Sequence, residues 1–351
     1  MKLCSIMRIW KKILYGFLTI LLILIIWYFN LIVYGIRQGI GQMHIIRSAK
    51  SFEKFLEEGE YSDSLKAFYR EKIKLIKEIK QFAIDSLGLK ESSSYSKIYD
   101  QKGKPILWAV TACQPYKLEP KEWNYGPFGN MPYKGYFDST LAKKLIKELK
   151  AEGLDVNVYN PSAWSTLGWF SDPVLSSMLE WDEGDLAGLI IHEMTHATIW
   201  IRGNVEYNEN LADFVGDRGA MEFLASKYGK DSPQYKNHKG GDKDTEKFYD
   251  HILRGAEKLD SLYQTFNDQM PKKEKDTKKY TLIREIGKTT DTIFFVNKER
   301  YKNLFNKRLP NNAYFMAFRR YRAQQNVFEE EFKDKFKSNF KVYLEYLKEK
   351  Y

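Results

Sequence analysis

The stretch that decides the fold spans residues 185–218 and reads DLAGLIIHEMTHATIWIRGNVEYNENLADFVGDR. His192 and His196 are four residues apart, so on a helix both imidazoles lie on one face, about one turn apart. Gly203 then interrupts the helical pattern, and a second helix that carries Glu209 can pack against the first. The stretch therefore predicts two neighbouring helices that present two imidazoles and a carboxylate to one point.

These ligand types, with one coordination position left open, describe a catalytic zinc site. We expect one Zn²⁺ ion, held by His192, His196 and Glu209. Glu193 lies about 100° round the helix from His192, so it suits a general base acting on zinc-activated water better than it suits a ligand. Asp213 follows Glu209 by one turn and is expected to accept the outer N–H of a ligand histidine. Asn208, next to Glu209, is expected to support the ligands as well.

The alternative, non-functional interpretation of the same residues is that His192 and His196 are partly exposed helix residues. Glu209 would then be a first-turn acid favoured by the helix dipole. With five histidines in the chain, a chance HExxH is on the order of one in a hundred, so we favour the zinc site. A third histidine six residues after His196 would fall on Arg202, which excludes the HExxHxxGxxH class.

An apolar run without charge covers residues 13–36, long enough to cross ~30 Å of hydrocarbon. It lacks the short apolar core and small-residue cleavage site of a signal peptide. Four basic residues precede the run and only Arg37 follows it closely, which predicts a cytoplasmic N-terminus. We expect a single-pass protein of the inner (cytoplasmic) membrane, with its catalytic domain extracytoplasmic. Cys4 precedes the run and Cys113 follows it, which argues against a disulfide between them.

The remaining chain predicts an α+β fold, mainly α, with a small sheet. The run PILWAVTAC and the run DVNVYN are typical of strands, whereas most other segments have helical periodicity. In LPNNAYF, Asn312 is the expected helix N-cap. The expected division is a cytoplasmic N-terminus (1–12), an anchor (13–36), and one domain (37–351) with a helical part (37–90), a mixed part (91–180), the zinc-site helices (181–229) and a helical C-terminal part (230–351).

The net charge of +10 is spread among interleaved acids, which indicates a mixed surface and no nucleic-acid partner. Two aromatic loops, at 116–138 and 161–175, are expected to wall the site, because long structured loops often carry function. Tyr136 or Tyr133 would donate a hydrogen bond to the developing oxyanion. If the first loop forms an edge strand, Gly135 would let substrate backbone approach closely. The expected substrate-binding residues are Tyr133, Gly135 and Trp169.

The NENLAD element resembles the NExxxD element of thermolysin-like gluzincins. The runs YKGYFD, STLGWFSDPVL and LIIHEMTHATIW…YNENLADFVGDRGA together resemble the bacterial family of predicted aminopeptidases, zinc-dependent proteins of the gluzincin kind. The likeness covers most of the chain after the apolar run. It implies a zincin-like metallopeptidase domain, a peptide or protein substrate, and the site roles assigned above.

The expected function is thus a membrane-anchored zinc metallopeptidase with Glu193 as general base. Among the subclasses, we favour an aminopeptidase. The residues leave three alternatives open, namely an endopeptidase, a metalloamidase for a non-peptide substrate, and an inactive scaffold of the same fold. The preference for a free N-terminus rests on the family resemblance alone. Oligomeric state has no signature in the sequence.

Overall fold

The computed structural model of the chain describes residues 2–126, 129–161, 171–201, 204–306, 308–318 and 325–350. The described chain is mainly helical, as the periodicity predicts. The helices are α1 (Lys2–Trp27), α2 (Phe29–Ser48), α3 (Phe52–Glu58), α4 (Asp63–Asp85), α5 (Ser139–Ala151), α6 (Glu183–Thr198), α7 (Val205–Tyr228), α8 (Pro233–Gln264), α9 (Lys272–Thr290), α10 (Lys298–Tyr301), α11 (Asn312–Phe318), α12 (Gln325–Phe336) and α13 (Phe340–Lys350). A 3-10 helix, Ser176–Glu180, precedes α6.

The strands are short and form three small sheets within the described chain. They are β1 (Ile98–Tyr99), β2 (Trp108–Cys113), β3 (Trp123–Asn124), β4 (Asn130–Met131), β5 (Lys134–Tyr136), β6 (Asp155–Tyr159) and β7 (Val174–Leu175). The three-stranded sheet has the order β5-β2-β6 and is antiparallel, while β1 pairs with β7 in parallel and β3 with β4 as a hairpin. The two strands predicted from PILWAVTAC and DVNVYN are β2 and β6.

The central element is α6, whose apolar side chains are buried along its length. Leu186, Ala187, Ile190 and Ile191 have no exposed surface, and Met194 is 1% exposed. These residues join a core that also takes side chains from α4, α7, α12 and α13. Burying this much apolar surface fixes α6 in the middle of the domain, so the histidines that it carries have a rigid support.

Close packing of α6 on α7 depends on glycine. A Cβ atom added at Gly216 would lie 2.8 Å from the Gly188 carbonyl oxygen and 3.1 Å from the Cβ of His192. The first distance is too short for a side chain without a shift of backbone, and the second requires His192 to move by a few tenths of an ångström. The absence of a side chain at Gly216 therefore lets α7 approach α6 directly beside the first histidine of HEMTH.

A second core lies between α8, α9 and α11, and a buried ion pair connects it to the sheet. Lys279, 1% exposed, donates to Asp155 at 2.6 Å and to the Pro115 carbonyl at 2.8 Å. The prediction that Asn312 caps a helix is wrong. Its side chain is fully buried and donates to the Gln114 carbonyl at 2.8 Å, because the start of α11 packs into this polar junction.

The residue before it takes the capping position, since Asn311 Oδ1 accepts the Tyr314 N–H at 3.1 Å. Two consecutive asparagines are equally suited to a cap by type. The tertiary contacts of Asn312 decide between them.

The N-terminal helix is long and apolar enough to cross a membrane over Trp10–Trp27, and none of that window is buried. A signal sequence passes the same test of length and composition. The following helix, α2, contacts the folded domain. Tyr34 and Gln38 both donate to the Gly135 carbonyl, at 2.9 Å and 3.0 Å, so α2 is fixed against strand β5.

Candidate metal centre

The two histidines of HEMTH converge on one point. Their Nε2 atoms are 3.1 Å apart, and the rings are nearly perpendicular at 88°. The helix begins with Asp182 as its N-cap, whose carboxylate accepts the Asp185 N–H at 2.8 Å, and it runs without interruption to Thr198. One turn of regular helix between the rings brings both Nε2 atoms to the same side.

The carboxylate of Glu209 completes this cluster from α7. Its Oε2 atom lies 3.5 Å from the Nε2 of His192 and 3.5 Å from the Nε2 of His196. The helix starts just before it, with Asn204 accepting the Tyr207 N–H at 3.2 Å as N-cap. The three side chains offer ligand atoms that all lie within 4.8 Å of one another, which is a spacing that one metal ion can bridge.

A second carboxylate on α7 orients one of the imidazoles. The Nδ1 of His192 donates to Oδ1 of Asp213 at 2.9 Å. This bond holds the proton on Nδ1 and leaves Nε2 to face the cluster. The Nδ1 of His196 is buried and has no hydrogen-bond partner among the residues that the structure describes, so its orientation depends on packing.

Electrostatics in the cluster favour cationic imidazole beside anionic carboxylate. Burial acts to lower the pKa of His192, but hydrogen bonds to Asp213 and Glu209 outweigh it and raise that pKa to about 10. Burial acts to raise the pKa of Glu209, but its bonds to both histidines lower it to about 2. A positive charge at this point is therefore stabilised, and a metal cation can replace the proton.

Glu193, the expected base, is half-buried on α6 beside His192. Asn208, which is expected to support the ligands, makes its side-chain hydrogen bonds to the backbone. It is 1% exposed, and its amide accepts from the Ile201 N–H at 2.9 Å and donates to the Ile201 carbonyl at 2.8 Å. Asn208 therefore supports the site by fixing the extended chain that leaves α6.

Two residues near the cluster carry no motif and were missed by sequence reasoning. Tyr95 is 1% exposed and has a φ of +56°; burial, followed by the charge of Glu193, raises its pKa well above the ordinary value. Trp200 packs edge-on against His196 with ring centroids 5.5 Å apart and is 38% exposed. The one sequence signal was the position of Trp200 four residues after His196.

The aromatic-loop candidates lie on and around β5. Tyr136 contacts Tyr34 of α2 with ring centroids 5.7 Å apart, and burial raises its pKa to about 12, so its phenol stays protonated and can donate. Tyr133 is 42% exposed. Trp169 lies outside the described residues.

Strand β5 is indeed an edge strand, paired on one side with β2 through Gly135 and Ala109. Its free edge at Gly135, however, is covered. The carbonyl oxygen that a substrate backbone would use already accepts from Tyr34 and Gln38. The expected pairing of substrate at Gly135 would therefore have to displace α2.

The types and positions of these side chains suit a zinc ion. Two imidazole nitrogens and a carboxylate oxygen face one another without an intervening side chain, and the remaining imidazole nitrogen of His192 is fixed by a carboxylate. Zinc prefers these ligands in this number at catalytic sites. The arrangement defines a candidate metal centre on a pair of packed helices.

Comparison with known proteins supports the assignment of the chain to the hydrolases. Residues 33–349 match the model of the family described as "Putative aminopeptidase". The chain belongs to this family, and membership supports a peptidase-like function. No curated protein and no solved structure matches the chain.

Proposed function

We propose that the chain is a membrane-anchored zinc metallopeptidase of the gluzincin kind, with a zincin-like domain and aminopeptidase activity. The observation that carries this proposal is the convergence of His192, His196 and Glu209, with Oε2 of Glu209 at 3.5 Å from both Nε2 atoms. Family membership supports the peptidase class. The substrate class is a peptide or protein.

In this proposal His192, His196 and Glu209 hold one Zn²⁺ ion. When bound, zinc supplies a Lewis acid that acidifies water and polarises a carbonyl group. Glu193 accepts a proton from the attacking water and delivers it to the leaving amine. Asp213 holds the His192 tautomer throughout, through the 2.9 Å bond to Nδ1. A protonated phenol, with Tyr136 as the candidate, stabilises the developing oxyanion.

The apolar N-terminal helix is proposed to anchor the protein in the cytoplasmic membrane as a single span. The basic residues before the helix favour a cytoplasmic N-terminus, which places the metal centre on the outer side. The unburied surface of Trp10–Trp27 supports a lipid-facing helix, because such an apolar surface is costly in water.

The experiment that tests this function is replacement of the base. Glu193→Gln keeps the shape of the side chain, so the full-length protein in detergent should retain its zinc, measured by mass spectrometry of metals. Hydrolysis should fall by about 10²–10⁴-fold. Glu222→Gln, an exposed acid on α7, is the matched control and should keep full activity.

Two peptide series, one with free and one with blocked α-amines, then decide the subclass. An aminopeptidase releases the first residue from the free series alone. Cleavage inside blocked peptides would identify an endopeptidase. Amide hydrolysis restricted to non-peptide compounds would identify a metalloamidase. Full peptidase activity in Glu193→Gln, or a purified protein that takes up no zinc, would contradict the proposal.

A further inference from the structure

A second cluster of ligand-type side chains lies at the beginning of α6, away from HEMTH. Asp182 is the N-cap of α6, Asp185 lies in its first turn, and His238 comes from α8. Their ligand atoms all lie within 4.8 Å of one another, and His238 Nδ1 is 3.8 Å from Asp185 Oδ1. Asp185 precedes His192 by seven residues, or about 10 Å of helix, so this cluster is separate from the first centre.

The histidine in this cluster is buried and unsatisfied. The side chain of His238 is 7% exposed, and its Nε2 makes no hydrogen bond with any part of the chain that the structure describes. Its Nδ1 faces Asp185 at a distance too long for a hydrogen bond. Burying an imidazole whose Nε2 makes no hydrogen bond is costly. The nitrogen that faces the carboxylates is Nδ1, and a cation there would interact with both this ring and Asp185.

Glycine on α6 makes room for this ring. A Cβ atom added at Gly184 would lie 2.3 Å from His238 Nδ1, so any other residue there would expel the imidazole. The ring therefore lies directly against the first turn of α6, close to Asp185 and to the N-cap Asp182.

A third carboxylate adds to the negative charge. Asp242 follows His238 by one turn of α8, and burial raises its pKa, with further contributions from Asp185 and Asp182. Burial likewise raises the pKa of Asp185, followed by the charge of Asp182. The positive groups that oppose these shifts are His238, acting on both carboxyls, and Arg300, acting on Asp185. The carboxylates of Asp182, Asp185 and Asp242 thus share little positive charge.

We propose that Asp182, Asp185 and His238 form a second divalent-cation site, with Asp242, one helical turn from His238, adding negative charge beside it. Carboxylate oxygens with a single imidazole suit Mn²⁺, and a thiolate-free set of this kind also accepts Zn²⁺. A cation here would neutralise the carboxylates and connect the start of α6 to α8. Because a ligand that binds the folded state stabilises it, this site would hold in place the helix that carries His192 and His196.

The test uses full-length protein with the first centre removed by His192→Ala and His196→Ala, and Mn²⁺ as the probe. Binding is followed by the loss of the free Mn²⁺ signal in electron paramagnetic resonance. The double variant should bind one Mn²⁺ ion and unfold at a higher temperature in its presence. Adding Asp185→Asn or Asp242→Asn, which keep the side-chain size, should weaken Mn²⁺ binding at least tenfold and abolish the thermal shift.

His238→Gln should have the same effect, while two controls should have none. These are His251→Gln, a half-buried histidine further along α8 that bonds to the Ile286 carbonyl at 2.9 Å, and Asp268→Asn, an exposed acid after α8. Circular dichroism establishes that each variant is folded. Absence of Mn²⁺ binding in the double variant, or binding that persists unchanged in Asp185→Asn and Asp242→Asn, would overturn the second site. Neither result bears on zinc at the first centre, whose ligands this background lacks.

Discussion

The Nδ1 nitrogen of His192 lies 2.9 Å from the Oδ1 oxygen of Asp213, so a carboxylate on α7 sets the tautomer of an imidazole on α6. The bond leaves Nε2 of His192 facing Nε2 of His196 at 3.1 Å. The orientation of Nε2 of His192 in the candidate metal centre thus depends on a residue outside the proposed ligand set.

Replacement of Asp213 by asparagine should weaken zinc binding about 10- to 100-fold, because an orienting partner of a ligand histidine contributes that much to metal affinity. The affinity is measured by competition with a chromophoric chelator. Glu222→Gln on the same helix should bind zinc as the unaltered protein does. An Asp213→Asn variant with unchanged affinity would show that packing alone orients His192.

Zinc affinity should rise with pH. In the metal-free protein the pKa of His192 is about 10, because its bonds to Asp213 and Glu209 outweigh the effect of burial. Zinc must displace that proton, so the apparent affinity should increase about tenfold per pH unit below that value. The check is a zinc titration at pH 6, 7 and 8. An affinity independent of pH would mean that His192 is neutral before the metal binds.

The same pKa gives a stability prediction of defined sign. The folded-state pKa of His192 is raised above its ordinary value of 6.5. Its contribution to the stability of the metal-free protein is therefore complete below about pH 6.5 and is lost as the pH rises through about 10. Denaturant unfolding of the chelator-treated protein across this range measures it, and Asp213→Asn should flatten the curve.

Gly216→Ala should destabilise the protein by about 1–3 kcal/mol through overpacking. The new Cβ would lie 2.8 Å from the Gly188 carbonyl and 3.1 Å from His192 Cβ, so α7 must move away from α6. This outweighs the roughly 1 kcal/mol that alanine gains over glycine inside a helix. Zinc affinity should fall as well, because Glu209 and Asp213 move with α7.

The matched control is Gly241→Ala in α8, where a Cβ would meet Asn297 Nδ2 at an ordinary 3.7 Å. That change should be neutral or stabilising. Denaturant unfolding of both variants gives the comparison. Equal free energies of unfolding for Gly216→Ala and Gly241→Ala would mean that α6 and α7 can move apart without loss of stability.

Replacing Ile20 and Ile23 by arginine should release the protein from membranes. Both lie in the apolar window Trp10–Trp27, and each arginine at the centre of a span costs about 2.5–3.5 kcal/mol on insertion scales. The fraction that stays in the membrane pellet after an alkaline wash measures this. Leucine at both positions is the control. Retention of the arginine variant would show that α1 is not the anchor.

Local spacing was enough to predict the candidate centre from sequence. The four-residue interval between His192 and His196, and the same interval between Glu209 and Asp213, each correspond to one helical turn. The Asp182 cap has a local signal of the same kind, since the Asp185 N–H that it accepts lies three residues away. The expectation of a mainly helical structure with small sheets is confirmed.

Contacts between distant parts of the chain were not predictable. Nothing in the polar tract around Tyr95 indicates that its ring is buried near Glu193, because that burial depends on the packing of the whole core. The cover over Gly135 comes from Tyr34 and Gln38, about one hundred residues earlier. The position of Asn208 next to Glu209 did not reveal that its side chain bonds to the backbone of Ile201. Helical periodicity does not show where the chain turns after α6 ends.

The bonds from Tyr34 and Gln38 to Gly135 join α2, the helix that follows the apolar α1, to the sheet of the domain. A domain on a flexible linker can move through a wide volume. In contrast, α2 is a helix with a rise of about 1.5 Å per residue, and it is docked to the sheet. For a chain anchored through α1, this docking would limit how far the candidate metal centre can move from the lipid. Substrates would have to come within that distance, which favours chains that emerge from, or are tethered to, the same membrane.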